Sequence, residues 1–128
     1  MPDVARLRLY LRPTADAAPE ARRMLAAACA AWSLEHVGEA AAVVVTELVD
    51  NAVRHARTDM LVTMAYRGSS LHLSVADRSV TPSTIPVGRG PCGLRLVDTF
   101  ASGWGVCPVP DGKSVWAALT TLRPRSSG

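Results

Sequence analysis

Leucine and basic residues alternate at the start of the chain. Leu7, Leu9 and Leu11 take every second position, and the residues beside them include Arg6, Arg8 and Arg12. A period of two places the leucines on one face of an extended chain and the arginines on the other. The pattern predicts a half-buried strand over residues 4–12, which ends at Pro13.

Two helices are predicted after this strand. Thr14 or Asp16 can cap the first, which continues through strong helix formers to Trp32. Residues 39–57 contain no glycine or proline, and their apolar side chains recur at helical spacing. The recurring residues include Ala41, Val45, Leu48, Ala52 and Ala56. The second helix is therefore the longest predicted element.

Two strands and a long loop follow. Residues 60–66 and 71–76 are rich in apolar side chains, and the short segment between them contains Gly68, which suits a hairpin. We expect these strands to pair in antiparallel fashion. Residues 77–92 have no periodicity and are rich in proline and glycine, which predicts a long exposed loop.

The last part of the chain predicts a short helix and two more strands. The helix spans residues 93–100, and the strands span 104–109 and 114–122. A Pro-Asp-Gly-Lys turn at 110–113 joins the two strands. Residues 123–128 are expected to form a loose tail.

Size and composition fit one globular domain. The chain has 128 residues, of which 48% are hydrophobic and 20% charged, so residues 1–122 are predicted to form a single domain. No uncharged run approaches the ~20 apolar residues of a membrane span, and the first residues do not resemble a secretory signal. We therefore expect a cytoplasmic protein with no membrane partner.

Cysteine content and net charge exclude few classes of function. Cys29, Cys92 and Cys107 are widely spaced, which suits reduced thiols better than a disulfide framework or a metal cluster. The net charge of +3 is compatible with nucleotides, nucleic acid or an acidic partner protein. The basic residues do not form one run, so charge alone does not choose among these classes.

Four polar residues share one face of the second predicted helix. At about 100° per residue, Glu47, Asn51, Arg54 and His55 fall in a sector of roughly 100°, opposite the apolar stripe. An asparagine oxygen suits Mg²⁺, and a glutamate one turn earlier can orient or deprotonate a nucleophile. The alternative is a solvated face, on which Glu47 and Arg54 are surface charges and His55 is partly buried near the helix end.

Several segments of the chain, in order, resemble a known family. Residues 46–56, Thr-Glu-Leu-Val-Asp-Asn-Ala-Val-Arg-His-Ala, resemble the N box of the ATPase superfamily that includes gyrase, MutL and the histidine kinases. Residues 73–77 resemble its adenine-binding strand, and residues 88–90 with 93–97 resemble its lid and second glycine box. Residues 112–116 are similar to the closing strand of the anti-sigma factor serine kinases and related small actinobacterial-type regulatory ATP-binding proteins.

The resemblance implies roles for residues of the second helix and the adenine strand. Asn51 would hold Mg²⁺, and Glu47 would act as the general base or position a water molecule. Arg54 would reach a phosphate. Asp77 would accept a hydrogen bond from the amino group of adenine, a contact that distinguishes adenine from guanine.

The resemblance also implies roles for residues nearer the C-terminus. The matched positions are Gly88, Arg89, Gly90, Gly93, Leu94 and Ser114. The glycines would let backbone N–H groups approach the phosphates, and Arg89 would offset phosphate charge. Ser114 matches the hydroxyl that supports adenine through water in the family.

Two features depart from the family pattern. Asp77 is followed by Arg-Ser-Val-Thr, where the family often has Asp-x-Gly-x-Gly, so both glycines are missing. Pro91 and Cys92 separate Gly90 from Gly93, where many relatives run directly into the helix. Both changes affect the segment that would close over the nucleotide, and they keep a non-catalytic function open.

The family fold is a Bergerat-type α/β two-layer sandwich, in which a mixed, mainly antiparallel sheet carries helices on one face. The implied function is an ATP·Mg²⁺-binding, anti-sigma factor-type serine/threonine kinase. Its partners would be a STAS-like anti-sigma antagonist, which it phosphorylates, a sigma factor, and a second copy in a homodimer. The second hypothesis is a non-catalytic, ATP-gated interaction switch. The third is a basic nucleic-acid-binding module, which no aromatic stacking platform supports.

Overall fold

A five-stranded sheet organises the chain. The computed structural model describes residues 5–79 and 92–122. Its strands are β1 (Ala5–Leu11), β2 (Met60–Tyr66), β3 (Ser70–Asp77), β4 (Gly103–Val109) and β5 (Gly112–Thr120). Their order in the sheet is β1-β2-β3-β5-β4, and every neighbouring pair is antiparallel. β3 therefore lies at the centre, between the hairpin partner β2 and the later strand β5.

Three helices complete the two-layer sandwich. They are α1 (Ala17–Ala31), α2 (Gly38–His55) and α3 (Cys92–Phe100). A 3₁₀ turn at Glu35–Val37, which the sequence pattern did not predict, leads into α2. The α/β fold class, the helices and the strands predicted from the sequence are confirmed, with bounds shifted by a few residues. None of the helices in the described ranges is long and apolar enough to cross a membrane.

One hydrophobic core lies between the sheet and the helices. α2 supplies its centre, because Val44, Val45, Leu48 and Val49 are fully buried and the helix contacts α1, α3, β3 and β5. On β3 and β5, every second side chain enters this core. These strand residues are Leu71, Leu73, Val75, Val115, Ala117 and Leu119. The alternation fixes which β3 and β5 side chains face the helices.

Tryptophan side chains lie on both faces of the sheet. Trp104 of β4 packs against the core, and its Nε1–H donates a hydrogen bond of 2.9 Å to Asp98 of α3. Trp116 of β5 projects to the opposite face of the sheet, since its neighbours Val115 and Ala117 enter the core. A Cβ atom at Gly105 would lie 3.0 Å from the Trp116 indole. Glycine in β4 therefore makes room for the ring.

The turn between β4 and β5 brings Gly112 against the end of β3. A Cβ atom at this position would overlap the carbonyl oxygen of Asp77 and lie 2.9 Å from the Cα of Arg78. Backbone atoms cannot move aside as a flexible side chain can. Glycine is thus required for the close approach that aligns the end of β5 with Asp77.

Replacement of Gly112 by alanine should lower the free energy of unfolding by about 1–3 kcal/mol, because the overlap forces a backbone shift. Denaturant-induced unfolding followed by circular dichroism measures this change. Gly38→Ala is the matched control: nothing lies within 4 Å of a Cβ added there, and alanine is the better helix former. Equal unfolding midpoints for Gly112→Ala and the wild-type chain would contradict the proposed close approach.

Candidate functional site

Asn51 is a buried polar residue with an unsatisfied acceptor. It lies in the second half of α2 and is only 2% exposed. Its Oδ1 atom is buried and has no hydrogen-bond partner among the residues that the structure describes. A buried acceptor left unpaired costs about 1–3 kcal/mol. Such an atom in a folded chain requires a partner outside the described residues, and a bound ion is one group that can supply it.

The other predicted residues of α2 differ in exposure. Glu47 is half-buried and lies one helical turn before Asn51, so the two side chains share a side of the helix. Arg54 and His55 are both exposed in the last turn. The four polar residues therefore do not form one uniform face. Glu47 and Asn51 lie towards the interior, while Arg54 and His55 face solvent.

Chain connectivity places the end of α2 beside the end of β3. Only residues 56–59 separate His55 from Met60, which pairs with Asp77 across the β2–β3 ladder. The hydroxyl of Thr58 in this connection accepts a hydrogen bond of 3.0 Å from the backbone N–H of Arg78. The last turn of α2 and Asp77 consequently lie at the same end of the sheet.

Asp77 is held in a buried ion pair. Its side chain is 2% exposed, and that of Lys113 is 11% exposed. The Lys113 Nζ atom lies 3.2 Å from Oδ2 and 3.5 Å from Oδ1 of Asp77. The backbone N–H of Ser79 donates a further hydrogen bond of 2.8 Å to Oδ1. Each carboxylate oxygen therefore already accepts from a donor of the chain itself.

The β3–β5 register decides which residue of β5 meets Asp77. Asp77 pairs with Lys113, and Ser114 pairs with Ala76. Since side chains alternate between the two faces of a strand, Lys113 shares the helix-covered face with Asp77, and Ser114 projects to the other face. The structure does not bring the Ser114 hydroxyl next to Asp77. The sequence analysis did not identify Lys113. The alternation of side chains in β5 could have done so, because Lys113 lies two residues before the buried Val115 and therefore on the same face of the strand.

Only part of the predicted phosphate-binding segment falls within the described residues. Gly88, Arg89 and Gly90 lie outside them, so the lid stays a prediction. Gly93 belongs to the first turn of α3. Leu94 is buried in the core together with Val97, so its side chain anchors α3 against α2. This packing positions the start of α3, and the binding role implied for Leu94 stays a prediction.

A cavity of about 350 Å³ opens at the same end of the sheet. Asp77 and Met60 contribute to its wall, and Arg12 and Arg78 add positive charge. None of the described residues that line it belongs to α2 or α3. Among the described residues, the cavity therefore borders Asp77 but not Asn51.

The donor set fits Mg²⁺ better than a metal held by protein ligands alone. No group of three histidine, cysteine, aspartate or glutamate residues is placed to hold a metal in the ranges 5–79 and 92–122. Mg²⁺ does not need such a group, because it keeps several waters and shares one or two protein oxygens with substrate phosphates. The unpaired Oδ1 of Asn51 meets that requirement.

Two groups elsewhere in the chain have displaced pKa values. Burial in the core raises the pKa of the Cys29 thiol on α1, and the nearby charge of Glu35 raises it further. Partial burial lowers the pKa of His72 on β3, and Arg67 adds to this effect. His72 alternates with the core residues Leu71 and Leu73, so it projects away from the helices. Neither group belongs to the site around Asn51 and Asp77.

Comparison with solved structures supports this fold. The crystal structure of the RsbU and RsbW domains of Rv1364c from Mycobacterium tuberculosis matches with a TM-score of 0.73 and 23% sequence identity. The match covers 94% of this chain and 33% of that one, so this chain spans about a third of the length of its structural neighbour. No family model matches the chain. A search of curated proteins also finds no match.

Replacement of Lys113 by methionine should lower the free energy of unfolding by about 3–5 kcal/mol, because the Asp77 carboxylate loses its counter-charge in a buried position. Denaturant unfolding at neutral pH measures the change. The double variant Asp77→Asn/Lys113→Met, which removes both charges, should recover most of the loss. A Lys113→Met variant as stable as the wild-type chain would show that the ion pair contributes nothing.

Proposed function

We propose that this chain is an ATP·Mg²⁺-binding regulator of the anti-sigma factor type, acting as a serine/threonine kinase on a STAS-like antagonist protein. The observation that carries the proposal is the buried Oδ1 of Asn51, which has no partner among the described residues. The similarity of fold to a structure that contains an RsbW domain supports it. A sigma factor as further partner, a homodimeric state and a cytoplasmic location belong to the same proposal.

Asn51 would supply the protein ligand for Mg²⁺. When bound, the ion offsets phosphate charge and orients the phosphate chain. A neutral amide oxygen suits this task, because it coordinates a hard cation without adding a second negative charge close to Glu47. The energetic cost of leaving Oδ1 unpaired in the free chain would then be recovered on nucleotide binding.

The remaining contacts would divide between the base and the phosphates. Asp77 would accept a hydrogen bond from the adenine amino group. Backbone N–H groups at the start of α3, around Gly93, would donate hydrogen bonds to phosphate oxygens, and the positive end of the helix dipole would add to the attraction. Arg54 is exposed near the end of α2, where its long side chain is free to turn towards a phosphate. The predicted lid residues Gly88, Arg89 and Gly90 would complete the site.

Glu47 would serve as the general base. In the proposed transfer, the serine or threonine oxygen forms a bond to the γ-phosphorus, the bond to the ADP oxygen breaks, and Glu47 takes the hydroxyl proton. Phosphoryl transfer needs mainly positioning and electrostatic stabilisation from the protein. A half-buried carboxylate one turn from the Mg²⁺ ligand suits that role.

A second candidate is the ATP-gated interaction switch without phosphoryl transfer. The specific observation that favours it is the Lys113–Asp77 ion pair, which engages the proposed base-recognition carboxylate in the free chain. The absence of both glycines after Asp77 points in the same direction. Nucleotide-dependent partner binding without formation of ADP or phosphoprotein would select the switch over the kinase.

Replacement of Asn51 by leucine should weaken ATP·Mg²⁺ binding by at least about tenfold, while leaving the free energy of unfolding unchanged or slightly raised. Leucine has a similar volume, and the change removes a buried acceptor that lacks a partner. Calorimetric titration with and without Mg²⁺, combined with denaturant unfolding, measures both quantities. Asp50→Asn is the matched control, because it changes the neighbouring half-buried side chain of α2 and should keep Mg²⁺-dependent binding. No ATP binding by the wild-type chain would overturn the proposed function.

Replacement of Glu47 by glutamine should reduce phosphoryl transfer by roughly 10²–10⁴-fold, the range expected on loss of a general base. ATP affinity should change little, because the base acts on the acceptor hydroxyl. Labelled ATP, a candidate antagonist protein and an assay for ADP provide the measurement. Undiminished phosphorylation by Glu47→Gln would remove the base assignment. If Glu47→Gln loses both phosphorylation and ATP binding, Glu47 has a structural role instead.

A further inference from the structure

Lys113 occupies the place against Asp77 that a nucleobase amine would need. Its ammonium group contacts both carboxylate oxygens, at 3.2 Å and 3.5 Å. The Asp77 side chain is only 2% exposed, and Ser79 already donates to Oδ1. An incoming amino group therefore cannot reach the carboxylate while the lysine remains in this position.

We propose that Lys113 is an internal competitor of the nucleobase, and that it sets the affinity and the base selectivity of the site by blocking Asp77 in the free chain. This inference rests on the proposed ATP-binding function and adds a regulatory residue to the same site. Lys113 is a positioning residue: it acts by making Asp77 unavailable rather than by contacting the phosphates.

The chemistry of lysine suits a displaceable competitor. Its ammonium group is a compact charge on a flexible four-carbon stem, so it can leave the carboxylate without movement of the backbone. Its side chain retains 11% exposure, so the protein does not enclose Lys113 completely. Binding of a base must include the cost of separating the pair, so the apparent affinity is the intrinsic affinity multiplied by the fraction of chains in the open state.

The sign of the mutational effect distinguishes competition from simple electrostatics. Removal of a positive charge near a polyanionic nucleotide should ordinarily weaken binding. Removal of the competitor should strengthen it, because Asp77 becomes free to accept from the base. Arg78 provides a matched control: it is exposed, follows Asp77 directly and makes no ion pair with it in the described structure.

The test is a calorimetric titration of ATP·Mg²⁺ into the wild-type chain and into Lys113→Met, Lys113→Thr and Arg78→Met. We expect both Lys113 variants to bind at least about tenfold more tightly, while Arg78→Met binds equally or more weakly. Mg²⁺-tripolyphosphate, which lacks a base, should bind the Lys113 variants as tightly as the wild-type chain or more weakly, because only the loss of positive charge acts on it. Circular dichroism checks that each variant is folded, and Lys113→Thr provides a second substitution if Lys113→Met does not fold.

The outcomes separate this inference from the proposed function. If the wild-type chain binds ATP as tightly as the Lys113 variants, or more tightly, Lys113 does not compete with the base. That result overturns the inference and leaves the proposed ATP binding intact. Tighter binding of tripolyphosphate by the Lys113 variants also overturns it, because the effect would not involve the base. Failure of ATP to bind the wild-type chain removes the proposed function. If every folded Lys113 variant also fails to bind ATP, the inference falls with it.

Discussion

Antiparallel pairing of β3 with both β2 and β5 is the constraint on which the rest of the structure depends. This pairing places Asp77 at the end of the central strand, opposite Met60 on one side and Lys113 on the other. It also turns alternate side chains of β3 towards α2, whose buried valines and leucine fill the core. A shift of one residue between β3 and β5 would exchange Lys113 for Ser114 beside Asp77 and turn the core residues of β5 outwards. The identity of the residue at the site and the stability of the fold are therefore fixed by the same ladder.

Local periodicity predicted most of the fold, because the spacing of apolar residues within one helix or strand is enough to identify that element. The apolar spacing of α2 and the alternation of Leu7, Leu9 and Leu11 identify their elements without knowledge of any neighbour. The 3₁₀ turn before α2 was not predicted, since a three-residue element has too few positions to show a period. The partner of Asp77 was not predicted either, because it depends on the register between strands separated by more than thirty residues in the chain. Asn51 was placed on the polar face of its helix, but its burial follows from how α2 packs, which a helical projection cannot show.

Asn51 and Asp77, the two buried polar groups of the proposed site, differ in whether their oxygens have hydrogen-bond partners. Asn51 offers an acceptor with no partner among the described residues, whereas Asp77 has its acceptors engaged by Lys113 and Ser79. An unpaired amide oxygen lowers stability and is ready for a ligand. A paired carboxylate contributes stability to the free chain only while its partner stays. The proposed site therefore combines an unpaired oxygen for a cation with a carboxylate that already has partners in the free chain.

The order of the strands leaves β1 and β4 at the two edges of the sheet. Unpaired backbone groups along such edges can recruit a strand from another molecule, and natural chains oppose this with charged residues and proline. β1 carries exposed Arg6 and Arg8, and β4 contains Pro108, which has no N–H to donate. Repulsion between arginine-rich edges and the missing donor both disfavour continuation of the sheet into a second copy. Two copies of this chain would consequently meet more readily through faces or helices than by sharing one extended sheet.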